Sequence, residues 1–118
     1  MKEMQSTAAN ADRTARIQAL NDAFRKTLQG GRVVLTAGVD ALATEVKTRA
    51  MREVATFSDF TPDNDPHKEH DFGSFELAGQ KFFWKIDYYD STLAFGSDDP
   101  TDPAQTTRVL TLMLAEEY

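Results

Sequence analysis

The chain has 118 residues, of which 41% are apolar and none is cysteine, and its formal net charge is −6. This length and apolar content are sufficient for one domain with a buried core. The lack of cysteine excludes disulfides, thiolate-ligated zinc, iron–sulfur clusters and thiol catalysis. No stretch is apolar enough to span a membrane, and the N-terminus lacks the apolar core of a signal peptide. We therefore expect a cytoplasmic protein that does not associate with membranes.

The negative charge is concentrated in the middle of the chain. Residues 58–102 contain eleven Asp and Glu and three Lys, whereas residues 1–57 contain nine Lys and Arg and six Asp and Glu. An acidic surface repels nucleic-acid phosphates, and it suits a basic partner, a bound cation or solubility alone. We therefore expect no direct binding to nucleic acid.

The first half of the chain predicts a helix, a strand and a second helix. Residues 1–11 are small and polar, which is typical of a flexible terminus. Apolar residues then recur every three or four positions over 13–29, which predicts a helix with Asp12 as its N-cap. The β-branched run at 32–36 predicts a short strand, and helical spacing returns over 39–57.

The second half begins with a change to strand periodicity. Residues 72–77 and 81–89 predict a β-hairpin that turns at 78–80. Side chains alternate between the two faces of a strand. The face of the second strand that we expect to be buried carries Phe82, Trp84, Ile86 and Tyr88.

Two further elements are predicted toward the C-terminus. A weaker strand is expected at 93–96. Asp102 followed by Pro103 is typical of a helix start, which predicts a third helix that continues close to Tyr118. The order α-β-α-β-β-(β)-α predicts a single α+β domain over residues 12–118, with three helices packed on a mostly antiparallel sheet of three to four strands.

Several segments resemble an uncharacterised bacterial protein family. They are TPDNDPHKEHDFG, FWKIDYYD, FGSDDPTDP and TTRVLTLMLAEEY, and with GGRVVLTAGV the resemblance covers about residues 15–118. The family is a domain of unknown function that is often encoded on plasmids and other mobile elements, and it implies no activity for this chain. Its pattern retains DNDP and EHDFG and varies at His67 and Lys68, which implies that His70 is the histidine with a role.

The densest group of candidate site residues lies at 61–73. The oxygen and nitrogen ligands of Asp63, Asp65 and His70 would suit a divalent metal ion, although the spacing matches neither an EF-hand nor a thiolate or multi-histidine zinc site. The structural interpretation is that 61–66 forms a turn, while His70 begins a strand and is hydrogen-bonded to a carboxylate. The expected cofactor is accordingly either none or a divalent metal ion.

The hairpin adds two residues to a hypothetical catalytic site. The candidate acid–base set is Glu69, His70, Asp71, Lys85 and Asp87. These groups would need to line one cleft, in which burial could move their pKa values toward neutrality. The alternative is a solvated strand face on which Lys85 pairs with a cross-strand carboxylate such as Glu76.

Two acidic loops, 59–71 and 97–102, are the candidate partner-binding surfaces. Their candidate contact residues are Asp59, Asp98, Asp99 and Asp102. We favour a small non-catalytic protein whose acidic loops bind a protein with a basic surface. One form of it is a mobile-element inhibitor of a host defence system, whose carboxylates imitate nucleic-acid phosphates. The alternative is a divalent-metal or acid–base enzyme that uses residues 63–71, and the basic helices leave head-to-tail self-association open.

Overall fold

The computed structural model describes the backbone of residues 2–118 and the side chains from Ala9 onward. Three helices, four strands and a terminal 3₁₀ helix follow one another along this part of the chain. In chain order they are α1 (Lys2–Thr27), β1 (Gly31–Leu35), α2 (Ala37–Asp40), α3 (Thr44–Thr56), β2 (Phe72–Leu77), β3 (Gln80–Tyr89), β4 (Thr107–Leu114) and the 3₁₀ helix Ala115–Glu117. The predicted α+β class is confirmed.

The four strands form one sheet in the order β1-β4-β3-β2. β2 and β3 are the two arms of the predicted hairpin, with Gly73 opposite Trp84. β4 is antiparallel to β3 and parallel to β1. The sheet is therefore mixed and mostly antiparallel, and β4 lies in its interior.

The prediction of a third helix that continues close to Tyr118 is wrong, because residues 107–114 form β4 and a short 3₁₀ helix follows it. Leu110, Leu112 and Leu114 are buried at every second position and face the core. The helix-start signal at Asp102 is a local turn instead, in which the Ala104 N–H donates to Asp102 Oδ1 at 2.9 Å. Pairing with strands on both sides stabilises the extended form of a segment whose local pattern also allows a helix.

The other boundaries differ from the predictions in detail. α1 begins at Lys2, so Asp12 lies inside the helix and does not cap it. The helix expected over 39–57 is interrupted at Ala43, where the backbone is extended. The strand expected at 93–96 is reduced to one bridge between Tyr89 and Gly96. The prediction of a flexible segment over 1–11 includes Met1, which lies outside the described residues, and it stays a prediction.

The core lies between one face of the sheet and the helices α1 and α3. The predicted alternation along β3 is confirmed: Phe82 and Trp84 are fully buried, and Ile86 is nearly so. A side chain at Gly73 would collide with the Trp84 indole, which explains glycine at this point of β2. Within residues 2–118 no helix is both long enough and apolar enough to cross a membrane.

Candidate functional site

The loop from residue 57 to 71, which joins α3 to β2, begins with a hydrogen-bonded turn. The Thr61 N–H donates to Asn64 Oδ1 at 2.9 Å, and the Asn64 N–H donates to Thr61 Oγ1 at 3.3 Å. Asn64 Nδ2 also donates to the carbonyl of Asp59 at 2.9 Å, and the Asp65 N–H donates to the carbonyl of Thr61 at 2.8 Å. The turn predicted from the Asp-Asn-Asp-Pro sequence is confirmed.

His70, near the end of the 57–71 loop, is held between two carboxylates and an aromatic ring. Its Nδ1 lies 2.9 Å from Asp22 Oδ1, and its Nε2 lies 3.6 Å from Asp65 Oδ2. The imidazole stacks on the Phe60 ring with centroids 3.7 Å apart. The predicted hydrogen bond of His70 to a carboxylate is confirmed, and its partner, Asp22, belongs to α1. The prediction that His70 begins a strand is wrong, because β2 begins at Phe72.

Asp22, Asp65 and Phe60 together form a clamp around the His70 ring, and the backbone at His70 supports it. His70 has φ of 56°, a left-handed conformation that is uncommon for residues other than glycine. Its N–H donates to Asp65 Oδ1 at 3.1 Å, so the buried Asp65 contacts both the backbone and the ring of His70. The conformation is therefore stabilised by contacts made within the loop and with α1.

Arg25 connects the same site to the end of α3. Its guanidinium donates to the carbonyls of Val54 at 2.7 Å and Phe57 at 3.1 Å, and to Asp22 Oδ1 at 2.8 Å. It also lies over the Trp84 ring, 4.9 Å from the centroid. Arg25 is 2% exposed and satisfies carbonyls at a helix C-terminus.

A second polar network joins α1 to the sheet through Asn21. Asn21 Nδ2 donates to the Tyr88 hydroxyl at 2.7 Å and to the carbonyl of Glu69 at 2.9 Å. The Tyr88 hydroxyl donates to Glu69 Oε1 at 2.7 Å, and Arg108 Nε donates to Asn21 Oδ1 at 2.6 Å. Burial, with a further contribution from the bond to Glu69, raises the pKa of Tyr88 above its ordinary value. Tyr88 therefore acts as a protonated donor.

Asp71 occupies the entry to β2 and is partly buried. Burial raises the pKa of its carboxyl group above the ordinary value, and the neighbouring Glu69 carboxylate raises it further. Its carbonyl accepts the Ile86 N–H at 2.8 Å, which extends the hairpin ladder by one bond. Asp71 thus combines a backbone role with an unfavourable position for its negative charge.

The fold separates the candidate acid–base residues into two groups. Glu69 and His70 lie with Tyr88 on the face of the sheet that α1 covers. Lys85 and Asp87 alternate with Tyr88 along β3 and therefore lie on the opposite face, where they pair at 3.1 Å. The predicted pairing of Lys85 with Glu76 is wrong, since Phe72 lies opposite Lys85 and Lys81 lies opposite Glu76 in the hairpin register.

The candidate metal ligands are also separated, since Asp63 lies apart from Asp65 and His70. Asp63 is exposed at the turn, whereas Asp65 is buried against His70. Among the side chains of residues 9–118, no group of three or more Asp, Glu or His residues is arranged to hold a metal ion. Asp63 lies inside the turn closed by Thr61 and Asn64, whereas Asp65 follows the turn and contacts His70.

The 97–102 loop uses part of its charge internally. The Thr101 N–H donates to Asp99 at 3.1 Å, and bonds from Thr101 together with the charges of Arg13 and Arg16 lower the pKa of Asp99. Asp102 accepts the Gln105 side-chain amide at 2.8 Å. An open cleft of about 770 Å³ separates this loop from α1, and Asp98 lines it while remaining exposed.

The clamped histidine borders a shallow surface depression of about 280 Å³. The depression is lined by Gln18, Phe60, Thr61, Pro62, Asp65, Lys68 and His70. Lys68 has φ of 58°, so a second non-glycine residue of this loop adopts the left-handed conformation. The Gln18 amide donates to the Lys68 carbonyl at 2.8 Å and ties the rim of the depression to α1.

The fold and the site together define a small α+β domain in which α1 and the sheet are hydrogen-bonded to an acidic loop. The chain belongs to a protein family of unknown function, DUF3768, whose model matches residues 35–117. The expected membership in an uncharacterised family is thereby confirmed. No curated protein and no solved structure matches the chain. The matched range contains His70 and its loop, whereas Asp22 and Asn21 of α1 lie outside it.

Proposed function

We propose that this protein is a non-catalytic interaction protein that acts in the cytoplasm and binds a basic partner through the 57–71 loop. The observation that supports the proposal is the set of hydrogen bonds within this loop and to α1, with Asp59 and Asp63 left exposed to solvent. The loop contains five carboxylates and one lysine, so its surroundings favour cationic groups.

Preorganisation is the physical basis of this choice. A loop that is already ordered loses little conformational entropy when it binds. The turn between Thr61 and Asn64 and the clamp around His70 supply that order before a partner arrives. Asp98 and Asp99 of the 97–102 loop lie near Arg13 and Arg16 of the same chain. These two cations reduce the negative electrostatic potential that a basic partner would meet at this loop. We therefore assign the main contact to the 57–71 loop and a secondary contact to Asp98.

One form of this function is inhibition of a host defence protein encountered by a mobile element. A protein groove that binds nucleic acid concentrates Lys and Arg against phosphates. Exposed carboxylates on a rigid loop can occupy such a groove in place of the phosphates. The charge of the middle segment supports this form, and a basic groove is the partner chemistry that it requires.

Charge reversal tests the contact. We expect D59K/D63K to reduce recovery of the partner from a bacterial lysate at least ten-fold, because both exposed carboxylates are replaced by cations. The matched control is E45K/E53K, which makes the same change in net charge at exposed positions of α3. Binding of the purified partner to each variant, measured by calorimetry, gives the affinities.

Two outcomes would contradict the proposal. Recovery that survives D59K/D63K would exclude the 57–71 loop as the contact. Equal loss in both double variants would indicate a nonspecific response to net charge. A separate D98K variant measures the secondary contribution of the 97–102 loop.

A second candidate function is acid–base or metal-assisted chemistry at His70. The favouring observation is the 2.9 Å contact between His70 and Asp22 beside the surface depression, since a carboxylate orients a catalytic imidazole in many enzymes. Titration with Mg²⁺, Mn²⁺ and Zn²⁺ by calorimetry tests the metal form. One ion bound per chain in the wild type, lost in D65N and retained in E45Q, would support it, and no stoichiometric heat would count against it.

A further inference from the structure

β1 forms an edge of the sheet whose outer side has no strand partner within residues 2–118. The Thr36 N–H donates to the Leu112 carbonyl of β4 at 3.1 Å. Because backbone groups alternate in direction along a strand, those of Arg32 and Val34 also point toward β4. The N–H and C=O groups of Val33 and Leu35 consequently point outward and are available to another strand.

The side chains along this edge are unusually apolar for an exposed position. Val33 is 38% exposed and Val34 is 45% exposed. Exposed sheet edges are normally protected by charge, by proline or by bulges, and Arg32 is the only charged residue of β1. β2, at the other edge, exposes the charged Glu76 and none of its large apolar side chains. The two edges therefore differ, and β1 is the one suited to pairing.

We propose that β1 pairs antiparallel with β1 of a second copy of the chain, which joins the two sheets into one sheet of eight strands. A two-fold axis makes such an interface self-complementary, since each copy contributes the same residues. With the axis at Val34, the two Val34 side chains face each other. Val33 then exchanges two backbone hydrogen bonds with the partner subunit's Leu35. By symmetry, Leu35 exchanges two with the partner subunit's Val33.

Repulsion between like charges favours the register centred on Val34 over the register centred on Val33. With the axis at Val34, Arg32 lies opposite the partner subunit's Thr36, and the two Arg32 residues are about 13 Å apart along the strands. With the axis at Val33, the two Arg32 residues would be diagonal neighbours about 7 Å apart. The first register therefore avoids contact between like charges and brings together the more exposed valines.

The small size of the edge sets the strength of the dimer. Two five-residue strands bury less than the roughly 1,200 Å² of a standard stable interface. We therefore expect a dimer that dissociates on dilution. Each dimer would carry two 57–71 loops, although the pairing itself is independent of the proposed function of those loops.

Sedimentation over about 1 µM to 1 mM, the range of weak association, tests the dimer. We expect the wild-type mass to rise toward two chains as concentration increases. V34K places two lysines at the axis and should weaken association at least ten-fold. F95K is the matched control, because Phe95 is an apolar residue that is 74% exposed and lies outside β1. An equimolar mixture of V34K and V34E should associate more tightly than either variant alone.

Cross-linking tests the register by a second route, which does not require the charged variants V34K and V34E to fold. The chain has no cysteine, so V34C introduces a single thiol at the proposed axis. Directly opposed residues of a non-hydrogen-bonded antiparallel pair have Cα atoms about 4.5 Å apart, which a disulfide can bridge. We expect V34C to form covalent dimers at least ten times faster than F95C. A wild type that remains monomeric at about 1 mM, or equal cross-linking of V34C and F95C, would overturn the proposal and leave the edge to a different partner.

Discussion

Asn21 is a single buried side chain that joins three parts of the chain. It accepts from Arg108 of β4, and it donates to Tyr88 of β3 and to the carbonyl of Glu69 in the 57–71 loop. Removing it would leave a buried guanidinium and a buried carbonyl without these bonds, which costs more than the bonds themselves contribute. The amide therefore determines how α1 sits on the sheet.

We expect N21A to lower the free energy of unfolding by about 2–4 kcal/mol, because it removes hydrogen bonds from buried charged and polar groups that water does not reach. Q18A is the control, since Gln18 lies one turn earlier in α1 and makes a solvent-exposed bond to the Lys68 carbonyl. Its cost should be about 0.5 kcal/mol. Urea unfolding of both variants measures the difference. Similar losses for the two would mean that the network does not hold α1 in place.

At the scale of elements, β4 organises the fold. It pairs with β1 on one side and with β3 on the other, so it links the parallel strand β1 to the hairpin of β2 and β3. Its inward residues Leu110 and Leu112 are fully buried. An interior strand of this kind depends on partners that are distant in sequence, so its stability comes from the assembled sheet.

Alanine substitutions distinguish β4 from the helix that local signals favour. L112A should cost about 2–5 kcal/mol of unfolding free energy, because a fully buried leucine is replaced within a packed core. V109A should cost about 1 kcal/mol, since Val109 lies on the other face and is partly exposed. A helical segment would place Val109 inward. Denaturation in which V109A is the more damaging variant would therefore contradict the strand.

At the scale of the whole molecule, Glu117 ties the last residues of the chain to the β1–α2 turn. Its carboxylate accepts the Thr36 hydroxyl at 2.6 Å and the N–H groups of Gly38 and Leu114, each at 2.9 Å. The bond from Thr36, followed by those from the two N–H groups, lowers the pKa of Glu117 below its ordinary value. The bond to Gly38 joins residues that are 79 positions apart, so it connects the residues after β4 to the first half of the chain.

These bonds predict a pH-dependent contribution to stability. A carboxyl group whose pKa is lower in the folded state stabilises the fold at neutral pH, and this contribution falls as acid protonates it. We expect E117Q to unfold at lower urea than the wild type at pH 7. The difference should shrink as the pH falls below about 4.3, the ordinary glutamate pKa. A difference that is constant between pH 7 and pH 3 would show that the charge of Glu117 makes no contribution.

Features that depend on neighbouring residues were predictable from the sequence. The hairpin of β2 and β3, the buried face of β3 and the Thr61–Asn64 turn result from alternation and from side chains that bond nearby amides. The helix signal at Asp102 was also local, and it was misleading: the side chain bonds a nearby amide as a helix cap would, but a turn and then β4 follow in place of the predicted helix. The partners of His70 were harder to predict from the sequence. Asp22 is 48 positions away from His70, and the spacing of Asp22 to Arg25 and Lys26 is typical of an ordinary exposed helix face.

The sequence alone determined the α+β class, the acidic middle segment and the position of its ordered loop, since these depend on composition and on short-range periodicity. The tertiary structure decided that residues 107–114 are an interior strand, that His70 meets Asp22, and that Lys85 and Asp87 lie on the other side of the sheet. The reason is that strand pairing and burial join segments many residues apart, and their free energy exceeds the weak local preferences of each segment.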